Sequence, residues 1–113
     1  MAKDDYFVIA YRILDYLYQC FKQGVQPDIS FISAEALQIN RGYWLNMMAS
    51  LHQEGYITGI AFSNAVGQYR GLRATDIRIT QRGIEFLEDN SKMAKVKEFL
   101  QTVKDFVPFI PGF

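Results

Sequence analysis

Glu54-Gly55-Tyr56-Ile57, followed one hairpin's length later by Ile77-Arg78-Ile79-Thr80-Gln81-Arg82-Gly83-Ile84-Glu85-Phe86-Leu87, decides how this chain folds. The first piece ends a helix on a glycine and enters a strand. The second leaves a strand at Thr80, which suits a helix cap, and then sets Ile84 and Leu87 on one helical face. Helix, strand, wing, strand and capped helix in that order spell a winged helix-turn-helix. The expected fold class is therefore mainly α with a small antiparallel β wing, and a further helix follows at the C-terminal side.

Upstream, Asp4 or Asp5 can cap a first helix over about 4–22 that stops before Gly24. Phe7, Ala10, Leu14, Leu17 and Phe21 form one apolar stripe, and Ile9, Ile13, Tyr16 and Cys20 form a second. Only Arg12, Asp15 and Gln19 are left as a polar seam, so the helix has to be covered on more than one side. The helix-turn-helix is expected over 33–54, with Ser33 opening a short helix and Asn40 capping the next, Arg41 onward. Trp44, Leu45, Met48 and Leu51 take its core side, and Gly55 is placed as its C-cap.

The wing hairpin is expected over 56–79, as a strand from Tyr56 to Phe62, a turn-rich segment with Asn64, Gly67 and Gly71, and a return from Ala74 to Ile79. A helix over 80–90 follows. Ser91 then caps a C-terminal helix over 91–107, striped by Met93, Val96, Leu100, Val103 and Val107. Pro108 opens an apolar tail, 108–113. All of this fits one domain over 1–113, since 113 residues that are 50% hydrophobic can form a core of their own.

Enzyme chemistry finds no foothold. The single histidine, His52, has no Cys, Asp or second His at metal-ligand spacing, and reads as a surface residue on a helix flank. Gly67 and Gly71 lack the strand-loop-helix setting and the following Lys of a phosphate loop. The carboxylate pairs Asp4-Asp5 and Glu88-Asp89 fall at helix ends. No catalytic residue, metal or cofactor is expected. The lone Cys20 lies in an apolar run and reads as a structural thiol. Arg12 and Asp15 interrupt the longest apolar stretch, so no membrane span is expected and a cytoplasmic location is.

Nucleic acid is the better candidate. Formal charge is zero overall, yet residues 38–83 hold Arg41, Arg70, Arg73, Arg78 and Arg82 against Glu54 and Asp76, a local plus three. Arg forks onto guanine edges and phosphates. In a winged helix the second helix of the motif enters the major groove and the wing reaches the backbone or minor groove. On that geometry Asn40, Arg41, Tyr43, Asn46 and Ser50 face the bases, and Gln68, Tyr69, Arg70 and Arg73 are the wing contacts. Plus three is thin for a monomer binding duplex DNA, which makes a homodimer part of the expectation. Its interface is expected to use Tyr6, Ile9, Ile13 and Tyr16 from the first helix with Val103, Phe106 and Phe109 from the end of the chain. The alternative is a protein-protein interaction module on the same scaffold, with no DNA contact. Nothing in the sequence names a small-molecule effector.

The run Glu54-Gly55-Tyr56-Ile57-Thr58-Gly59-Ile60, the helix start Ile79-Thr80-Gln81-Arg82-Gly83-Ile84-Glu85-Phe86-Leu87-Glu88-Asp89-Asn90 and the late Val103-Lys104-Asp105-Phe106 resemble the YjcQ family. These are small winged-helix proteins of bacteria and their prophages. The resemblance implies the fold and a phage or mobile-element setting. It implies no activity and no binding residues. The expected function is thus a DNA-binding transcriptional regulator of phage or mobile-element type.

Overall fold

α1 (Tyr6–Gln23) is the pivot of the fold. The computed structural model describes residues 1–65 and 68–102; of residues 64, 65 and 68–70 only the backbone is described. α1 ends where Gly24 turns left-handed at φ 69°, and the amide of Val25 returns to the Cys20 carbonyl at 3.1 Å. At its start Asp5 occupies the cap position without capping, because its carboxylate accepts from the Ala2 amide at 3.0 Å instead.

The two stripes of α1 are both consumed inside one chain. α1 packs against α3 (Arg41–Gln53), α4 (Gln81–Asp89), α5 (Ser91–Thr102), the second strand and a 3-10 turn at Ile29–Ile32. Ile9 and Ile13 are 0% exposed and Tyr16 is 5% exposed. These three were expected at a dimer interface, and the structure corrects that. A central helix needs apolar side chains all round to meet partners on all sides, so its excess belongs to the monomer core. Burying each such aliphatic side chain is worth about 1.5–3 kcal/mol. Phe21, at the end of the first stripe, departs the other way and stands 54% exposed.

The helix-turn-helix forms as the caps predict. Ser33 accepts from the Ala36 amide at 3.2 Å to start α2 (Ala34–Leu37), and Asn40 accepts from the Tyr43 amide at 2.8 Å to start α3. The Trp44 indole donates to the Ile32 carbonyl at 2.7 Å, locking the turn before α2 onto α3. Gly55, left-handed at φ 78°, carries the chain out of α3.

β1 (Ile57–Ala65) and β2 (Gln68–Ile79) pair antiparallel as a two-stranded ribbon. The ribbon is longer than the sequence suggests, since most of the segment expected as turn is itself paired, from Ser63↔Gly71 to Ala65↔Gln68. Two bulges permit this. Between Thr58↔Arg78 and Ile60↔Ala74, the single residue Gly59 faces Thr75, Asp76 and Ile77. Gly59 has φ 84°, and a Cβ there would collide with the Asp76 carbonyl, so only glycine fits. The bulge also switches parity. Ile57 gives way to Ile60 and Phe62 as inward residues, and Leu72 and Ala74 give way to Ile77 and Ile79.

Thr80 caps α4 as expected, accepting from the Gly83 amide at 3.1 Å. For α5, Asn90 rather than Ser91 supplies the cap, accepting from the Lys92 amide at 2.8 Å. Met93, Val96 and Leu100 of α5 form a smaller core with Val8, bordered by Phe7, Tyr11, Phe86 and Phe99. The result is a winged-helix-like, mainly helical domain with a β wing. The expected end of the last helix and the apolar tail, including Val103, Phe106 and Phe109, lie outside the described residues.

Candidate nucleic-acid interface

Six of the residues of α3 are buried: Trp44, Leu45, Met47, Met48, Ala49 and Leu51. That leaves a narrow polar edge for any ligand. Arg41 and Asn46 lie on it, both exposed. Arg41 sits with its guanidinium 5.5 Å from the Trp44 ring, a stacking that steadies a long side chain without neutralising it. Asn40 is exposed too, but its carbonyl oxygen is committed to the cap and only its NH2 group remains to donate.

Two expected base-facing residues point elsewhere. Tyr43 is half-buried and its hydroxyl donates to the Asp4 carbonyl at 2.7 Å. Burial, with Asp4 and Asp5 nearby, pushes its phenol up. Ser50 shares a 2.6 Å hydrogen bond with the Tyr6 hydroxyl, which ties α3 to α1. Both were expected among the groove contacts. Each is instead a fastening between α3 and the N-terminal part of the chain, because the face of α3 that carries them is covered. Tyr6, expected at a dimer interface, is half-buried by the same contact.

Gly42 is a residue the sequence reading missed. It is exposed beside Arg41 in the first turn of α3. The amides of Arg41 and Gly42 precede the first intrahelical bonds and have no acceptor within the helix. A Cβ at Gly42 would come within 3.3 Å of the capping Asn40 Oδ1, a tight contact that glycine avoids. His52 and Gln53 extend the exposed edge towards the end of α3. His52 packs edge-on to Phe62 of β1 at 6.2 Å, which joins the helix to the wing.

The five arginines divide by role. Arg82 donates from Nε to the Glu54 carbonyl at 3.0 Å and lies 5.8 Å from the Tyr56 ring, clasping the exit of α3 to α4. Arg78 donates from Nε to both Asp76 carboxylate oxygens at 3.2 Å. Arg73 is exposed on the wing, opposite Ala61. Arg70, Gln68 and Tyr69 lie on the described backbone of β2, with Tyr69 opposite Asn64 and Gln68 opposite Ala65. Among the described residues, Arg41 and Asn46 on the helix and Arg73 on the wing are thus exposed, with no described hydrogen bond or ion pair.

Among the described residues no group of three or more His, Cys, Asp or Glu could hold a metal ion, and no helix is long and apolar enough to cross a membrane. Neither a curated protein nor a solved structure matches the chain. A family model does: the one described as YjcQ protein aligns with residues 11–106, from within α1 to beyond α5, and the chain belongs to the YjcQ family.

Proposed function

We propose that this protein is a DNA-binding transcriptional regulator of phage or mobile-element type that occupies a short duplex site as a homodimer. The observation that carries this reading is the exposure of Arg41, Gly42 and Asn46 in the N-terminal half of α3 together with Arg73 on the wing. Arg41 and Asn46 read base edges in the major groove, Arg forking onto guanine and Asn onto adenine. The start of α3 and Arg73 hold phosphates. A dimer doubles a local charge too small to hold duplex DNA alone. Its contacts fall outside the buried face of α1, which leaves Val103, Phe106 and Phe109 as the candidates from the sequence. The protein acts in the cytoplasm without a cofactor and performs no reaction.

A salt titration of binding to random duplex DNA, followed by fluorescence anisotropy with light scattering on the same sample, tests this. Arg41→Ala and Arg73→Ala should each weaken binding, and loss of the Arg73 phosphate contact should reduce the salt slope by about 1. No binding at low salt would sink the reading. The exposed aromatic surface of Phe21 and Phe31 then favours the second one, a protein-interaction module.

A further inference from the structure

Among the described residues, the large apolar side chains that stand exposed are Met1, Phe21, Val25 and Phe31. Three of these fall within one short stretch, from the last turn of α1 into the 3-10 turn at Ile29–Ile32. Phe21 is 54% exposed at the end of a stripe whose Ala10, Leu14 and Leu17 are buried, so the cover over that stripe stops one turn short. Phe31 lies on Tyr16 with ring centroids 5.8 Å apart, and Pro27 and Ile29 between them in the chain are half-buried. Residues 21–31 carry Lys22 and Asp28 and sum to zero charge, so this surface attracts neither nucleic acid nor a charged peptide. A neutral apolar surface calls for a neutral apolar partner.

The residues after α5 have that chemistry. Residues 103–113 include Val103, Phe106, Val107, Phe109, Ile110 and Phe113, and their two charges, Lys104 and Asp105, cancel. α5 sets where this segment starts. Lys92 Nζ stands 4.6 Å from the Phe7 ring, and Lys97 further along is close enough for its charge to act on the Asp15 carboxyl. α5 therefore advances along α1 in the direction of the Phe21 end. Continued, that line meets Gln19 and Lys22 of the polar seam, while Phe21 lies roughly 120° round the helix from Asp15. The seam is a poor bed for an apolar segment. Eleven residues span at most about 36–40 Å when extended, enough to cross to a neighbouring copy.

We propose that residues 103–113 of one copy dock on Phe21, Val25 and Phe31 of a second, which returns its own segment in the same way. Such a two-fold exchange is self-complementary, as a closed dimer requires. The inference rests on the homodimer of the proposed function and names the surface that receives Val103, Phe106 and Phe109. It does not need DNA.

Light scattering on the full chain, on Phe21→Asp and on Phe109→Asp tests it without DNA. The wild type should be a dimer and each variant a folded monomer at the same concentration, with circular dichroism unchanged. The two variants are complementary, since one keeps the segment and the other keeps the surface. Unlabelled Phe21→Asp titrated into labelled Phe109→Asp should therefore give saturable amide shifts at Phe21 and Val25, and unlabelled Phe109→Asp should give none. Should Phe21→Asp melt early, Val25→Asp takes its place. A monomeric wild type, a dimer that survives either substitution, or an absence of shifts on mixing would overturn the proposal. An intact dimer that fails to bind duplex DNA would count against the regulator reading and support this one.

Discussion

The hydroxyl of Thr80 donates to the carbonyl of Gly55, 25 residues earlier, while accepting from the Gly83 amide. One side chain thereby closes the exit of α3 and opens α4. The Thr80 amide adds a bond to the Tyr56 carbonyl at 3.0 Å, so the whole wing is pinched at its base. Thr80→Ala should cost about 1–2 kcal/mol, the upper part of the range for lost caps, and Thr80→Ser should recover most of it. Urea unfolding of the three proteins measures this, and equal stability of Ala and Ser variants would refute it.

Gly59→Ala should destabilise by more than about 2 kcal/mol, since a left-handed φ and a collision with the Asp76 carbonyl act together. The chain can relieve the collision only by opening the bulge. Circular dichroism melts give the loss of stability. Amide exchange at Ile60 and Ile77 should rise above that of α1 in the same variant.

Gln38 is the one described residue other than glycine with a positive φ, at 58°, where it ends α2. Its side chain is exposed and makes no described hydrogen bond, so little is lost by removing it. Gln38→Gly should stabilise the protein by about 1 kcal/mol through relief of the left-handed strain. A lower midpoint in denaturant than wild type would contradict this.

Asp15 lies in the polar seam of α1, half-buried, with Gln19 donating to it at 3.3 Å. Burial raises its carboxyl above the ordinary 3.8 and Glu88 adds to this, while the Gln19 hydrogen bond, Lys22 and Lys97 pull it down. A raised folded pKa means that the fold prefers the protonated acid. The resulting stability is full below the unfolded pKa and is lost as pH rises through the folded value. Asp15→Asn should therefore raise the melting temperature at about pH 7 and make little difference near pH 3. The opposite pH dependence would show that the lysines outweigh burial.

The parts of the fold that were legible are those fixed within a few residues of chain. Ser33, Asn40 and Thr80 each cap a helix by accepting an amide three positions on, and polar type plus spacing suffices to see it. The fate of Ser50 is different. It sits on the polar side of α3, but its partner Tyr6 is 44 positions away, and no local pattern says that a helix covers that side. The double stripe of α1 was visible, whereas its meaning was not: two apolar faces suit either a second subunit or a central position, and only the tertiary arrangement chooses. The ribbon length was hidden for a related reason. Ser63, Asn64 and Gly71 are turn-forming residue types, yet they pair across the ribbon, and a second bulge after Ser63 removes the alternation there, so the paired segment read as turn. At the candidate site, Arg41, Asn46 and Arg73 were named from residue type and the structure leaves them exposed, whereas Gly42 was passed over because it has no side chain to suggest a role.

The central place of α1 has a consequence for synthesis. Val8 is covered by Met93 and Val96 of α5, which are made much later. At roughly 5–20 residues per second, the ribosome needs on the order of 4–17 seconds to deliver them. For that interval the most apolar of the described helices lacks this cover. The nascent chain is then a natural client for a chaperone that shields apolar helices, and truncation within α5 should send the product to aggregates.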